Sequence, residues 1–158
     1  MSEAREKVIE VRGLRNQFGA QVVHENLDLD VWRGEIIGVV GGSCSGKSVL
    51  MRSIIGLNRP AAGSIRLLGE DMMALSDARR SEVERRCGVL FQNGALFSSL
   101  SVADNVMVPM REHHGIPLEL MQRFAALKIA LAGLPADAGA KFPAQLSGGM
   151  VKRAALAR

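Results

Sequence analysis

A mixed α/β fold is predicted by three features of this 158-residue chain. An uninterrupted apolar run, "IIGVV" (36–40), is followed by a glycine-rich loop and then by apolar residues at helical spacing, the order strand, loop, helix. Before it, "VIEVRGL" (8–14) and "VVHENLDLDV" (22–31) alternate apolar with polar residues, as strands wetted on one face do. From Ala95 onward the patterns are mostly helical. The chain therefore divides into an α/β front, residues 1–94, and a helical back, residues 95–158.

The elements follow in order. Gly19 turns the chain between the two alternating segments, and "WRGE" reverses it again before residues 36–40, whose composition suits a strand buried on both faces. Val49, Leu50, Ile54 and Leu57 mark one face of the helix after the glycine loop. "NRPAAGS" (58–64) is dense in turn residues, and "IRLLGED" (65–71) reads as a short strand closed by Gly69. Ser76 or Asp77 can cap a charged helix that runs to Arg86, and "CGVLFQ" (87–92) returns to a strand pattern. A short helix is expected in "SVADNV", and a longer one starting with Pro117 at its first position. Leu120, Phe124, Leu127, Leu131 and Leu134 recur at spacings of four and three, which predicts that they form its buried stripe.

Composition bounds the function. With 47% hydrophobic residues, 4% aromatics and no Tyr, the core must be aliphatic. Cys44 and Cys87 are far apart and lack a metal-ligand spacing, which favours a reducing compartment, the cytosol. The opening "MSEAREKVIEVRG" has no apolar segment of the kind a secretion signal needs. No run reaches the roughly 20 apolar residues that cross a bilayer, so a membrane role would require a partner. The net charge is +4, but Arg79, Arg80, Arg85 and Arg86 are interleaved with Glu82 and Glu84, as on a solvated helix face. Charge alone does not make a nucleic-acid binder, and none is expected as a partner.

"GGSCSGKS" (41–48) matches the phosphate-binding loop pattern G-x-x-x-x-G-K-S in full. Backbone N–H groups turned inward form a nest for phosphate oxygens, and glycines allow both the tight turn and the close approach. Gly41, Gly42, Ser43, Cys44, Ser45 and Gly46 supply that backbone. Lys47 adds a point charge for the β- and γ-phosphates, Ser48 a hydroxyl for Mg2+, and the helix beginning there points its positive end at the anion. The chain is expected to bind a nucleoside triphosphate, which by itself leaves kinase, GTPase, helicase and transporter motor open.

Two further stretches narrow the choice. "LFQNGALF" puts Gln92 at the end of the last strand pattern, and "LSGGM" (146–150) opens a helix with two glycines. Phosphate loop, strand-ending Gln and "LSGG" in this order and spacing resemble the nucleotide-binding domain of ATP-binding cassette (ABC) proteins from Val8 to Arg158. The resemblance implies a P-loop ATPase core with an antiparallel β subdomain and a helical subdomain, working with ATP and Mg2+. It implies that Phe18 stacks on adenine, although a hairpin or core phenylalanine would look the same. Lys47 and Gln92 would act in catalysis, and Ser48 and Gln92 at Mg2+. Ser147, Gly148 and Gly149 would cap the γ-phosphate held by a second copy packed head to tail.

Two residues depart from the family pattern: Met150 stands where Gln usually follows "LSGG", and Cys44 where the loop commonly has Gly. What Cys44 costs depends on whether the backbone there needs φ > 0. "GALFSSLSVADNV", "DNV" with its following "P" and "REH", and Met150 are similar to the ATPase subunits of Mce-type lipid transporters, the lipid-asymmetry (Mla) or toluene-tolerance group. That branch implies a separate membrane permease, an MCE-type lipid-binding partner, phospholipid as cargo, and a place on the cytoplasmic face of the inner membrane. "GALFSSLSVADNV" itself could serve permease docking or packing alone. Alternatives are a soluble non-transport ABC ATPase and a non-catalytic nucleotide-binding module.

In the family the signature helix leads to an apolar strand ending Asp-Glu and then to a switch histidine. These 158 residues contain neither; Glu82, Glu84, His113 and His114 precede the signature and cannot take those roles. The expectation is an N-terminal fragment ending just after the signature, with an incomplete sheet, binding ATP weakly and hydrolysing it negligibly by itself.

Overall fold

Alternation of apolar and polar residues places Lys7–Phe18 (β1) and Gln21–Trp32 (β2) in a long antiparallel hairpin. This is seen in a computed structural model that describes residues 5–113 and 115–158, so the first four residues and His114 lie outside the described part. Ala62–Leu67 (β3) pairs antiparallel with β1, and Glu70–Asp71 (β4) with β3, giving the sheet order β2-β1-β3-β4. The hairpin is not regular. Leu14 pairs with Leu27 but Asn16 with His24, so β2 carries one extra residue there, and Asn26 takes φ 53° to absorb it.

Lys47–Ile54 (α1) and Asp77–Glu84 (α2) belong to the same unit as the sheet, which ends at Gly88. Their buried sides, Leu50 and Ile54 from α1 and Val83 from α2, share one core with Val11, Leu14, Ile65, Leu67 and Met72. Each such side chain contributes about 1.5–3 kcal/mol by leaving water. Ser76 caps α2, its side chain accepting from the N–H of Arg79. Arg79 is engaged by Glu70 and Glu82, both at 2.6 Å, so part of the arginine cluster is a set of solvated ion pairs.

Two expected strands are not formed. Residues 36–40 and 87–92 have no strand partner among the described residues, and Ile36 and Val40 are 100% and 92% exposed. Period and composition qualify a segment for a buried strand, but neighbours on its edges and faces are what bury it.

The second unit, Val89–Arg158, is helical. It comprises Val102–His113 (α3), Leu118–Leu131 (α4), 3-10 turns at Ala136–Ala140 and Pro143–Gln145, and Gly148–Ala157 (α5). Helix α3 is longer than its sequence suggests. It continues through Pro109, because Val106, Met107 and Met110 are buried in the helical core and outweigh the missing proline donor. Pro117 is the N-cap of α4 and not its first helical residue.

The buried side of α4 also differs from the expected one. Met121, Ala125 and Ile129 are in the core with Leu134 beyond the helix end, while Leu120, Phe124, Leu127 and Leu131 are exposed by 42, 41, 55 and 77%. The stripe that is buried is the one facing α3, the Ala136–Ala140 turn and α5, on which α4 packs.

One polar side chain organises the segment ahead of α3. Buried Asn105 donates to the carbonyls of Phe97, Leu100 and Ser101 at 3.0, 3.1 and 2.9 Å and accepts from the Phe97 N–H at 2.7 Å. Asn105→Ala leaves those groups without their partner and is expected to cost about 2–4 kcal/mol. Urea unfolding followed by circular dichroism measures it; a loss below about 0.5 kcal/mol would show that water replaces the amide.

Candidate functional site

The phosphate loop is shaped by two left-handed residues. Gly46, the N-cap of α1, has φ 88°, and Cys44 has φ 64°. The backbone does need φ > 0 at Cys44, where a non-glycine residue costs about 1–2 kcal/mol. The N–H of Leu50 bonds the Gly46 carbonyl at 2.9 Å, closing the first turn, so the N–H groups of Lys47, Ser48 and Val49 that open the helix have no intrahelical acceptor and can serve an anion, while the Ser45 N–H closes the loop on the Gly42 carbonyl at 3.4 Å.

The Lys47 ammonium turns back into its own loop. It donates to the carbonyls of Gly41 and Gly42, both at 2.7 Å, and to Ser45 Oγ at 3.1 Å. A Cβ added at Gly41 would lie 2.7 Å from Ser45 Oγ and 3.9 Å from Lys47 Nζ, so any side chain there would fill the cradle. Val23, Cys44, Ser45, Lys47 and Ser48 line a shallow cavity of about 200 Å³ beside it, and the Ser48 side chain is at the surface. Donor groups, a cation and a hydroxyl in one concave loop fit a polyphosphate with its magnesium ion. Among the described residues, no three His, Cys, Asp or Glu side chains converge as a separate metal cage.

The far end of the β1–β2 hairpin abuts this loop. A Cβ at Gly46 would lie 2.5 Å from His24 Nε2 and 2.7 Å from a Val23 methyl, so Gly46 is required for contact as well as for φ. Behind it runs a buried polar chain. The amide nitrogen of Asn16 donates to Ser53 Oγ at 2.9 Å, so its oxygen is left for His24, whose Nδ1–H donates to it at 3.0 Å. Asn58 donates to the same serine hydroxyl at 3.1 Å. Burial holds the His24 imidazole below its ordinary pKa, in the neutral form. Phe18 is half exposed at the hairpin turn, paired with Gln21.

The other candidate residues lie in the helical unit. Gln92 is exposed in a turn that continues through Gly94 and Ala95, at φ 75° and 48°. Gly94 is pressed against α5: a Cβ there would lie 3.2 Å from both Ala155 Cβ and Val151 Cγ1. The Arg158 guanidinium donates to the carbonyl of Ala95. The Gln92 turn is thus docked on the helix that Ser147 opens. Ser147 caps α5, accepting from the Met150 N–H at 3.4 Å, while an added Cβ at Gly148 or Gly149 would meet nothing within 4 Å. That leaves an accessible helix N-terminus suited to an anion. Met150 packs against the helical core.

Asn16, Val23, His24, Ser53 and Gly94 were not singled out from sequence. Ser53, on the apolar side of α1 with Leu50 and Ile54, is a signal that could have drawn attention, whereas His24 at period two shares its side with Asn26, Asp28 and Asp30, and only the extra residue near Asn26 turns it to the buried side.

A profile of the family described as ABC transporter matches residues 24–158. The chain is 42% identical to the Haemophilus influenzae intermembrane phospholipid transport system ATP-binding protein MlaF, over 97% of this chain and 58% of that one. It is 43% identical to a Mycobacterium leprae protein named "Probable ribonucleotide transport ATP-binding protein mkl", over 95% of this chain and 43% of that one. Among solved structures, a dimeric bacterial ABC transporter cassette superposes with a TM-score of 0.86 at 26% identity, over 94% of this chain and 67% of that one. The same cassette in a post-hydrolysis state, with ADP and Pi bound, superposes with a TM-score of 0.85 at 26% identity, over 94% of this chain and 67% of that one. The chain spans 58% of the length of the first of these curated relatives. Among the described residues no helix is long and apolar enough to cross a membrane.

The buried His24 predicts a pH dependence of stability. Above its ordinary pKa of 6.5 the imidazole is neutral in both folded and unfolded chains, and pH has no effect through it. Below that value the unfolded chain takes up a proton that the folded one resists, so stability falls as pH drops until the lowered folded pKa is passed. Unfolding midpoints of the wild type should decline as the pH is lowered from 6.5, and those of His24→Gln should decline less. Parallel profiles would show that His24 titrates as freely folded as unfolded.

Proposed function

The chain belongs to the ABC transporter family, and from that premise we propose that it is the ATP-binding part of a transport ATPase that drives phospholipid movement through a separate membrane permease. The observation that carries this reading is the Lys47 ammonium held inside the loop by two carbonyls and a hydroxyl. Phosphate oxygens would replace those acceptors, because the cation already lies within the loop. Gly41 to Ser48 hold the phosphates, Ser48 and Gln92 serve Mg2+, Gln92 senses the attacking water, and Phe18 stacks on the base. Magnesium supplies charge neutralisation of the phosphates when bound, and the protein's own part in catalysis is positioning and electrostatic stabilisation.

Ser147, Gly148 and Gly149 offer their helix N-terminus to the nucleotide of a second copy, and the dimeric cassettes among the structural relatives support that assembly. Phospholipid as cargo is supported by the name of the MlaF relative, whereas the inner-membrane location, the permease and an MCE-type partner rest on the resemblance carried by "GALFSSLSVADNV" and Met150. The mkl relative, named for ribonucleotide transport, favours a second cargo. The two are separated by whether phospholipid vesicles or ribonucleotides change turnover of the ATPase with its permease.

In the full-length protein, Lys47→Ala is expected to lower ATP turnover by about 10²-fold or more with the fold intact. Turnover within about threefold of wild type would remove the loop from catalysis. Thiol labelling gives an independent check. Cys44 is exposed, whereas Cys87 is half-buried, donates to the Val83 carbonyl at 3.7 Å, and has its pKa raised by burial. A maleimide should therefore modify Cys44 first, and Mg-ATP should slow that reaction without slowing the one at Cys87. Equal labelling of Cys44 with and without ATP would place the nucleotide elsewhere.

A further inference from the structure

Helix α1 has only eight residues and no side-chain N-cap. Alone it would be marginal, since isolated helices shorter than about 12–15 residues rarely hold in water. Its position, and with it the aim of the N–H groups that open it, must come from contacts outside the helix. The polar chain behind the loop reaches both of its ends. The His24 ring lies against Gly46 at the start, and Ser53 Oγ receives its hydrogen bond in the last turn. Asn16 joins the two, with its amide nitrogen on Ser53 and its oxygen on His24. The three side chains are 1, 9 and 0% exposed, so each bond has little competition from water and a misplaced partner is expensive.

An apolar core would have held the helix more simply. Ser53 lies on the same buried side as Leu50 and Ile54, where aliphatic residues are the ordinary choice. Dispersion contacts tolerate sliding, whereas a chain of directed hydrogen bonds allows one register. We propose that His24, oriented by Asn16 and through it by Ser53, is a positioning residue for nucleotide phosphates: it fixes Gly46 and so the register of the N–H groups at the start of α1. This rests on the nucleotide-binding function proposed above and extends it to residues outside the phosphate loop.

The test is a titration of the full-length protein with a fluorescent ATP analogue and Mg2+, at a temperature well below every variant's unfolding midpoint. His24→Leu and Asn16→Leu are each expected to weaken binding about tenfold, since misplacement of about 1 Å can cost up to 10²-fold. Because both act through one chain, the double variant should be no weaker than about the single ones. His24→Gln, close to imidazole in size and able to donate to Asn16, should recover affinity to within about threefold of wild type. Ser53→Ala is the mildest change to the fold and should still weaken binding about threefold. Val83→Ala, a cavity in the same core outside the polar chain, should lower the unfolding midpoint and leave affinity unchanged.

Wild-type affinity in folded His24→Leu or Ser53→Ala, additive losses in the double variant, or no recovery with Gln would overturn the positioning role while leaving ATP binding intact. Failure of wild type to bind Mg-ATP, with Lys47→Ala indistinguishable from it, would overturn the nucleotide-binding function and this role together.

Discussion

Two left-handed residues in six govern the nucleotide site. Unless Cys44 and Gly46 keep φ at 64° and 88°, the loop cannot turn its N–H groups inward, and Lys47 cannot fold back onto the carbonyls of Gly41 and Gly42. Gly46 adopts that conformation without steric cost, but Cys44 does so against its own Cβ. Something outside the loop has to maintain the turn, and Val23 and His24 are the side chains in contact with it at Gly46. The hairpin is therefore more than a covering layer: its tip is part of the mould in which the loop sets.

The helical unit solves a similar problem with other means. The turn after Gln92 also has two residues at positive φ, and it is held by direct packing of Gly94 on Val151 and Ala155. The segment just after it is fixed by the four hydrogen bonds of Asn105. In both units an irregular segment with chemical potential is fastened to a regular element by a small, specific contact. This is how loops can be precise without secondary structure of their own.

What could be read from the sequence was what is local. The loop "GGSCSGKS" is contiguous, the alternation in β1 and β2 is a period of two, and Ser76 and Ser147 cap helices within three residues of themselves. The chain from His24 through Asn16 to Ser53 was illegible because its outer members are eight and 37 positions from Asn16 and each is an ordinary residue type. The segment 36–40 has the composition of a buried strand, but burial depends on partners that composition cannot supply. On α4 two apolar stripes compete, and the choice of Met121, Ala125 and Ile129 over Leu120, Phe124 and Leu127 was made by neighbouring surfaces. Cys44 shows the remaining gap: its departure from glycine was visible, and its φ was not.

The extra residue in β2 has a consequence of another kind. β2 is the outermost strand of the sheet, so one row of its backbone N–H and C=O groups is not paired within the sheet. A flat, apolar edge of twelve residues would be a template for strands of other molecules. Here the bulge at Asn26 breaks the spacing of that row, and Glu25, Asp28 and Asp30 set acidic side chains along the strand. An incoming strand would have to match an interrupted ladder. The same irregularity that shifts the hairpin register between Leu14 and Asn16 thus makes this edge a poor template for another strand.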